Sequence, residues 1–151
     1  DFFIALFGRV KTVQALTADR ILGWETGDVV TVQLGFEAGM TANFSAILAT
    51  PHFIRCHVFG SDQWVEVRND THPDTPGGVA ELVLARTGEP HRTERYEWTD
   101  TVVANLEAFA AAIAGEADYP YTAEQMVHNI EVLEAVTLSA EQGETIHLDG
   151  A

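Results

Sequence analysis

Val29-Val-Thr-Val-Gln-Leu-Gly-Phe36, then Glu37-Ala-Gly39, then Met40-Thr-Ala-Asn-Phe-Ser-Ala-Ile-Leu-Ala49 is the stretch that decides the fold. Val30, Val32, Leu34 and Phe36 recur at every second position, so the spacing predicts a strand over 29–36 with one apolar side. Glu37-Ala38-Gly39 is a short hairpin connection, because Gly39 is free to take a positive φ. Residues 40–49 then return as an antiparallel neighbour. The same alternation repeats outward. Strands are predicted over 10–17, 52–59 and 63–68, the last two joined through Gly60-Ser61-Asp62, with a connecting loop over 18–27. Residues 69–78 form a turn-rich loop, and 80–86 with 91–98 make a further hairpin.

Beyond residue 100 the period changes. Leu106, Phe109, Ala110 and Ile113 fall at helical spacing, predicting a helix over 101–114 that ends at Gly115. Thr122 and Gln125 form a capping box, starting a helix that runs to about residue 142 before Gly143. Val127, Ile130, Leu133 and Leu138 are its expected inward residues, and 145–148 supply a closing strand. Consecutive hairpin strands followed by helices read as an α+β fold. It is a mostly antiparallel open-faced sheet with the two C-terminal helices packed on one face. The other sheet face is left for solvent or for a docked domain or subunit. Residues 1–7 form a helical end closed by Gly8, and a chain that opens inside such an element reads as a piece of a longer protein. Residues 1–151 are taken as one domain of it.

At 46% hydrophobic over 151 residues, the chain can bury a real core. Its net charge of −15, from 23 acidic against 8 basic residues, leaves no basic footprint for nucleic acid or for an anionic membrane. Cys56 is the single cysteine, so no intrachain disulfide forms, and a cytoplasmic location is the expectation.

The order of several short motifs resembles a known family: the C-terminal domain of the oxidoreductases named for glucose–fructose oxidoreductase, inositol dehydrogenase and MocA. Asp1-x6-Gly8-x-Val10 resembles its helix-end signature, and Leu34-Gly-Phe-Glu-Ala-Gly39 its hairpin. Val58-Phe-Gly60-Ser-Asp is similar to its glycine turn, with Gln63 where a second glycine is usual. Phe109-Ala-Ala-Ala-Ile113-Ala-Gly115, Tyr119-Pro120-Tyr-Thr122, Val132-Leu133-Glu134-Ala135 and Ser139-Ala140-x2-Gly143 are similar to its closing helices. The resemblance implies a fold like the C-terminal domain of dihydrodipicolinate reductase. It also implies an N-terminal Rossmann domain, absent here, that binds NAD or NADP; the one-sided helix cover separately predicts homo-oligomers formed through the open sheet face. The family's catalytic Lys, Asp and His would lie upstream of Asp1, which matches the last Asp of the pattern Asp-x3-His-x2-Asp. No catalytic, cofactor-binding or metal-binding residue is therefore expected in this chain. No strand here leads into a Gly-x-Gly-x-x-Gly turn, and 23–27 does not open a helix.

Arg55 and His57 share one face of the 52–59 strand with Phe53 and Phe59, and could hold a substrate hydroxyl or carboxylate. Asp70, His72 and Asp74 make a polar loop that reads as a solvated turn or a substrate lid. His128 reads as a helix anchor rather than an acid/base group. The six histidines show no metal-ligand spacing, since His52 and His57 point to opposite sides of one strand. Two functional readings remain. One is the substrate-side and oligomerisation part of an NAD(P)-dependent oxidoreductase acting on a sugar, inositol or related polyol, inactive alone. The other is a stand-alone, non-catalytic module for dimerisation or ligand binding.

Overall fold

In the computed structural model, residues 1–148 are described. The elements run α1 (Phe2–Phe7), β1 (Val10–Ala18), β2 (Val29–Phe36), β3 (Thr41–Ile47), β4 (Ile54–Phe59), β5 (Gln63–Asn69), β6 (Val79–Arg86), β7 (Arg92–Glu97), α2 (Thr101–Ala114), α3 (Ala123–Gln142) and β8 (Ile146–His147). The α+β, antiparallel reading holds. The strands, however, hydrogen-bond into two four-stranded sheets, ordered β3-β2-β1-β8 and β4-β5-β6-β7, rather than one layer. The boundary between them falls in the 48–53 connection, where Pro51 has no N–H to offer a ladder. The two sheets belong to two compact units. The first comprises Asp1–Ala49 with the chain from Pro120 onward, and the second Thr50–Tyr119.

In the first unit, β1 pairs along its length with β2, and β2 with β3. Period two puts Val13 and Ala15 of β1 on the same side as Val32, Leu34 and Phe36 of β2, all buried. Ile4 of α1 and Val132 and Ala135 of α3 complete this core, with Phe3, Phe7 and Phe44 packed against it. Each large side chain buried here contributes about 1.5–3 kcal/mol. Asp1 caps α1 by accepting the Phe2 N–H at 2.7 Å, and the capping box at Thr122 and Gln125 starts α3. Leu148 donates its N–H to the Lys11 carbonyl at 2.8 Å beside the short β8.

The expected inward face of α3 is not the one that packs. Val127, Ile130 and Leu133 are more than half exposed, and Leu138 is 36% exposed. The buried residues are His128, Val132, Ala135 and Ser139. At 100° per residue the two sets lie on nearly opposite sides of the helix, so α3 carries two stripes of helical period. Two causes select the less apolar one. Ala135 and Ser139 are small and allow the helix to approach β1 closely. The two-residue β8 reaches only Thr12 and Val13, and α3 supplies acceptors to two other β1 amides. The Val10 N–H donates to His128 Nε2 at 2.9 Å and the Ala15 N–H to Ser139 Oγ at 2.9 Å. Ser139 in turn donates to the Glu144 carbonyl at 2.5 Å. A buried amide without a partner costs about 1–3 kcal/mol, so two of them outweigh a more oily stripe. Ala135→Leu is accordingly expected to destabilise the chain by about 1–3 kcal/mol in urea unfolding. Leu133→Ser should change stability by less than about 0.5 kcal/mol, and the reverse order would restore the expected face.

In the second unit, β4 to β7 form a meander in sequence order. Asp100 caps α2, accepting N–H bonds from Val102 and Val103, and Gly115 ends it in the left-handed conformation. The apolar stripe read from the sequence is present, but Leu106, Phe109 and Ile113 are 54–73% exposed, and no α2 residue is buried. None of the described helices is long and apolar enough to cross a membrane.

Candidate functional site

Period two on four adjacent strands builds one charged face in the second unit. Antiparallel register aligns Arg55 with Arg68, Arg68 with Glu81, and Glu81 with Arg95, a row crossing β4 to β7. The next row on the same face aligns His57 with Glu66 and Glu66 with Val83, and Val83 is buried. Glu81 is the hub. Arg68 grips it with Nε at 2.7 Å and with its terminal nitrogen, and Arg95 adds Nε at 2.9 Å. Hydrogen bonds from Arg68 and then Arg95 hold the Glu81 carboxyl below the usual carboxylate range, and Glu81 raises Arg68 in return.

Arg55 lies beside Glu66 at 3.6 Å and Asp70 at 3.8 Å, and donates to the Ile54 carbonyl at 3.0 Å. Its guanidinium sits 5.0 Å from the Phe53 ring centre, a cation–π contact. His57 Nε2 is 3.6 Å from Glu66, and its ring stacks on Phe59 at 5.9 Å. The structure thus brings the two sequence candidates, Arg55 and His57, onto one carboxylate. His57 and Arg95 remain 44% and 75% exposed at the side chain, so both can still meet a hydroxyl or carboxylate from solution. Most of the Arg55 donors are already spoken for.

His72 is not part of this row. Its Nδ1 accepts the Asp74 N–H at 3.2 Å, and its ring meets His52 edge-on at 5.9 Å. The loop that carries it is pinned where Trp98 Nε1 donates to the Pro73 carbonyl at 2.7 Å. His52 itself precedes β4, so its pairing with His72 replaces the expected strand geometry. Among the described residues, no group of three or more His, Cys, Asp or Glu is arranged to hold a metal ion. Sequence reasoning missed Glu66, Arg68, Glu81 and Arg95. Their alternation within 63–69, 79–86 and 92–97 was the available signal, but alternation does not say which residues face each other.

A third polar feature lies in the first unit, at the loop over 19–27. Asp28 is buried, and its carboxylate accepts the N–H groups of Arg20 at 2.9 Å, Ile21 at 2.8 Å and Leu22 at 3.0 Å. These successive amides have the form of an anion nest, and Asp28 fills it. No phosphate can use them. The Gly23 and Gly27 amides are engaged as well, by Asp19 Oδ1 and by the Trp24 carbonyl, so the glycines of this loop do not fit a dinucleotide.

The family model for the oxidoreductase family C-terminal alpha/beta domain matches residues 1–148. Solved structures agree in fold. A protein from Desulfitobacterium hafniense assigned as an NADPH-dependent oxidoreductase is 19% identical at a TM-score of 0.79, covering 96% of this chain and 44% of that one. An aldose–aldose oxidoreductase from Caulobacter crescentus, complexed with glycerol, is 20% identical at 0.74, covering 97% and 45%. An oxidoreductase from Agrobacterium radiobacter, in complex with NAD+, L-tartaric acid and magnesium, is 17% identical at 0.71, covering 97% and 46%. This chain therefore spans less than half the length of each of these proteins. No curated protein matches it.

Proposed function

The chain belongs to the oxidoreductase family as its C-terminal alpha/beta domain, and on that premise we propose that it is the substrate-side and oligomerisation half of a longer NAD(P)-dependent enzyme. The observation that carries this reading is the family match over residues 1–148 of a chain that fills only 44% of the D. hafniense structure. A Rossmann domain elsewhere in the longer protein would hold NAD or NADP together with the catalytic Lys, Asp and His. The filled nest at Asp28 supports assigning the nucleotide to that other domain. Sugars, inositol and related polyols are the proposed substrates, and a cytoplasmic enzyme is the setting. Arg55 and His57 are the residues we assign to a substrate hydroxyl or carboxylate, with the His72 loop at the margin. The open face of a sheet would join two copies.

The test compares the 151-residue chain with the longer protein that contains it. With polyols and NAD or NADP, nicotinamide absorbance should stay flat for the chain alone and rise for the longer protein. Turnover by the chain alone would end the proposal. In the longer protein, His57→Ala should raise KM several-fold and leave kcat near its original value.

A further inference from the structure

We infer that β3 is a docking edge for an extended segment of another protein, which adds a strand to the β3-β2-β1-β8 sheet. β3 stands at the end of that sheet, and among the described residues no strand pairs with its free side. The register fixes which backbone groups look outward. Phe36 donates its N–H to the Met40 carbonyl at 2.9 Å, and Leu48 to the Asp28 carbonyl at 2.9 Å. Between those bonds the antiparallel alternation makes Ala42, Phe44 and Ala46 the residues that bond β2, opposite Leu34, Val32 and Val30. Thr41, Asn43, Ser45 and Ile47 therefore turn their N–H and C=O groups away from the sheet, repeating about every 7 Å. An extended backbone is the ligand that offers donors and acceptors at that repeat.

Free edges are ordinarily blunted, and the other three are. β7 carries Arg92, Glu94, Arg95 and Glu97, β4 carries Arg55 and His57, and β8 has only two residues. β3 runs for seven residues, Thr-Ala-Asn-Phe-Ser-Ala-Ile, with no charge, no proline and no break in its register. Its two sides name the occupant. On the core side Phe44 packs beside Phe3 and is half-buried, with Ala42 and Ala46 on either hand. The incoming strand fits when large apolar residues lie opposite the two alanines and a small one lies opposite Phe44. Its other side meets Asn43 and Ser45, which pair with hydroxyls or amides. A second copy does not bring that pattern. Paired in register about Phe44, two β3 strands set phenyl on phenyl and alanine on alanine. The net charge of −15 adds the last feature, Lys or Arg flanking the apolar positions of the partner.

The probe is a fluorescein-labelled peptide, Lys-Thr-Ile-Thr-Ala-Thr-Ile-Thr-Lys, titrated with the 151-residue chain and with the longer protein that contains it. Its anisotropy should rise and saturate with both. N-methylating the two threonines beside the alanine removes the N–H groups aimed at Asn43 and Ser45, and should weaken binding at least about tenfold. Ser45→Pro should do the same, because it removes an outward N–H and leaves the bonds to β2 in place. Asn43→Lys, which puts a charge on the edge, is the second variant if the proline perturbs the circular dichroism. Leu106→Ser on α2 should leave the affinity unchanged. A peptide that does not bind overturns the inference. So does one that binds equally well when N-methylated or to both edge variants, or that loses affinity with Leu106→Ser. Binding to the chain but not to the longer protein overturns it as well, since the rest of that protein then covers the edge. Self-association of the chain that Ser45→Pro abolishes would assign the edge to a second copy and overturn the choice of partner.

Discussion

His128→Ala should cost about 3 kcal/mol of stability, read as a lower urea midpoint at unchanged slope. His128 is 1% exposed and uses both ring nitrogens. Nε2 accepts the Val10 N–H at 2.9 Å, which requires a neutral ring with its proton on Nδ1, facing Glu131 Oε2 at 2.7 Å. Truncation removes ring packing against β1 and orphans a buried amide, two penalties that add. His128→Gln keeps a carbonyl acceptor and should recover part of the loss. Glu131→Gln should have little effect, because that side chain is 42% exposed and its pairing with the ring is screened. A fall for Glu131→Gln as large as for His128→Ala would show that the charge, not the Val10 bond, holds α3 in place. The effect is global because of where the bond sits. Asn129, the next residue, accepts from the Asp1 backbone nitrogen at 2.8 Å, so one turn of α3 fixes both α1 and the start of β1.

That same helix shows how far the sequence could be read. The existence, type and ends of α3 followed from the Thr122–Gln125 box and Gly143, because caps are local chemistry between residues a few positions apart. Its buried side did not follow. Two stripes share one period, and the choice between them depends on the amides of Val10 and Ala15, more than a hundred residues away in the chain. The strands behave alike. Val32, Leu34 and Phe36 were legible as a buried row, since period two needs only one strand. The division into two sheets was not, because hairpin-linked strands look the same whether or not β3 and β4 share a ladder. At the charged face, Arg55 and His57 could be placed on one side from their spacing. That Glu66 lies between them, and that Glu81 joins Arg68 to Arg95, is a matter of register, which alternation alone leaves open.

The second large effect is expected at Asp28, which falls between the loop read over 18–27 and the strand read over 29–36. Its carboxylate holds the N–H groups of Arg20, Ile21 and Leu22, while its own N–H reaches the Ala18 carbonyl at 3.0 Å and its carbonyl accepts from Leu48 at 2.9 Å. Burial pushes the carboxyl upward, but bonds from the Leu22, Ile21 and Arg20 amides outweigh it, so its pKa lies below the ordinary value. The sign then follows. A carboxylate with a lower pKa in the folded chain than in the unfolded one adds stability that is complete above the unfolded value of about 4. That contribution is lost as pH falls through the folded value. Asp28→Asn should therefore lower stability at neutral pH, and the difference from wild type should shrink at more acidic pH. A gap that stays constant down through the acid range would mean that the charge contributes nothing.

Asp28→Ala goes further, leaving three amides without their acceptor in a loop that carries the exposed Ile21 and Trp24. Gly27 adds to the tightness, since it has φ +80° and a Cβ there would come within 2.9 Å of the Ala18 carbonyl oxygen. Without the carboxylate, residues 19–27 should open locally, and limited proteolysis should cut there on the order of tenfold faster. The β1–β2 pairing that begins at Ala18 and Val29 should persist, because its ladder does not use the Asp28 side chain. Hydrogen exchange distinguishes the two scales of failure. Protection lost only over the loop fits a local clamp, whereas protection lost along β1 and β2 together would make Asp28 a determinant of the whole sheet.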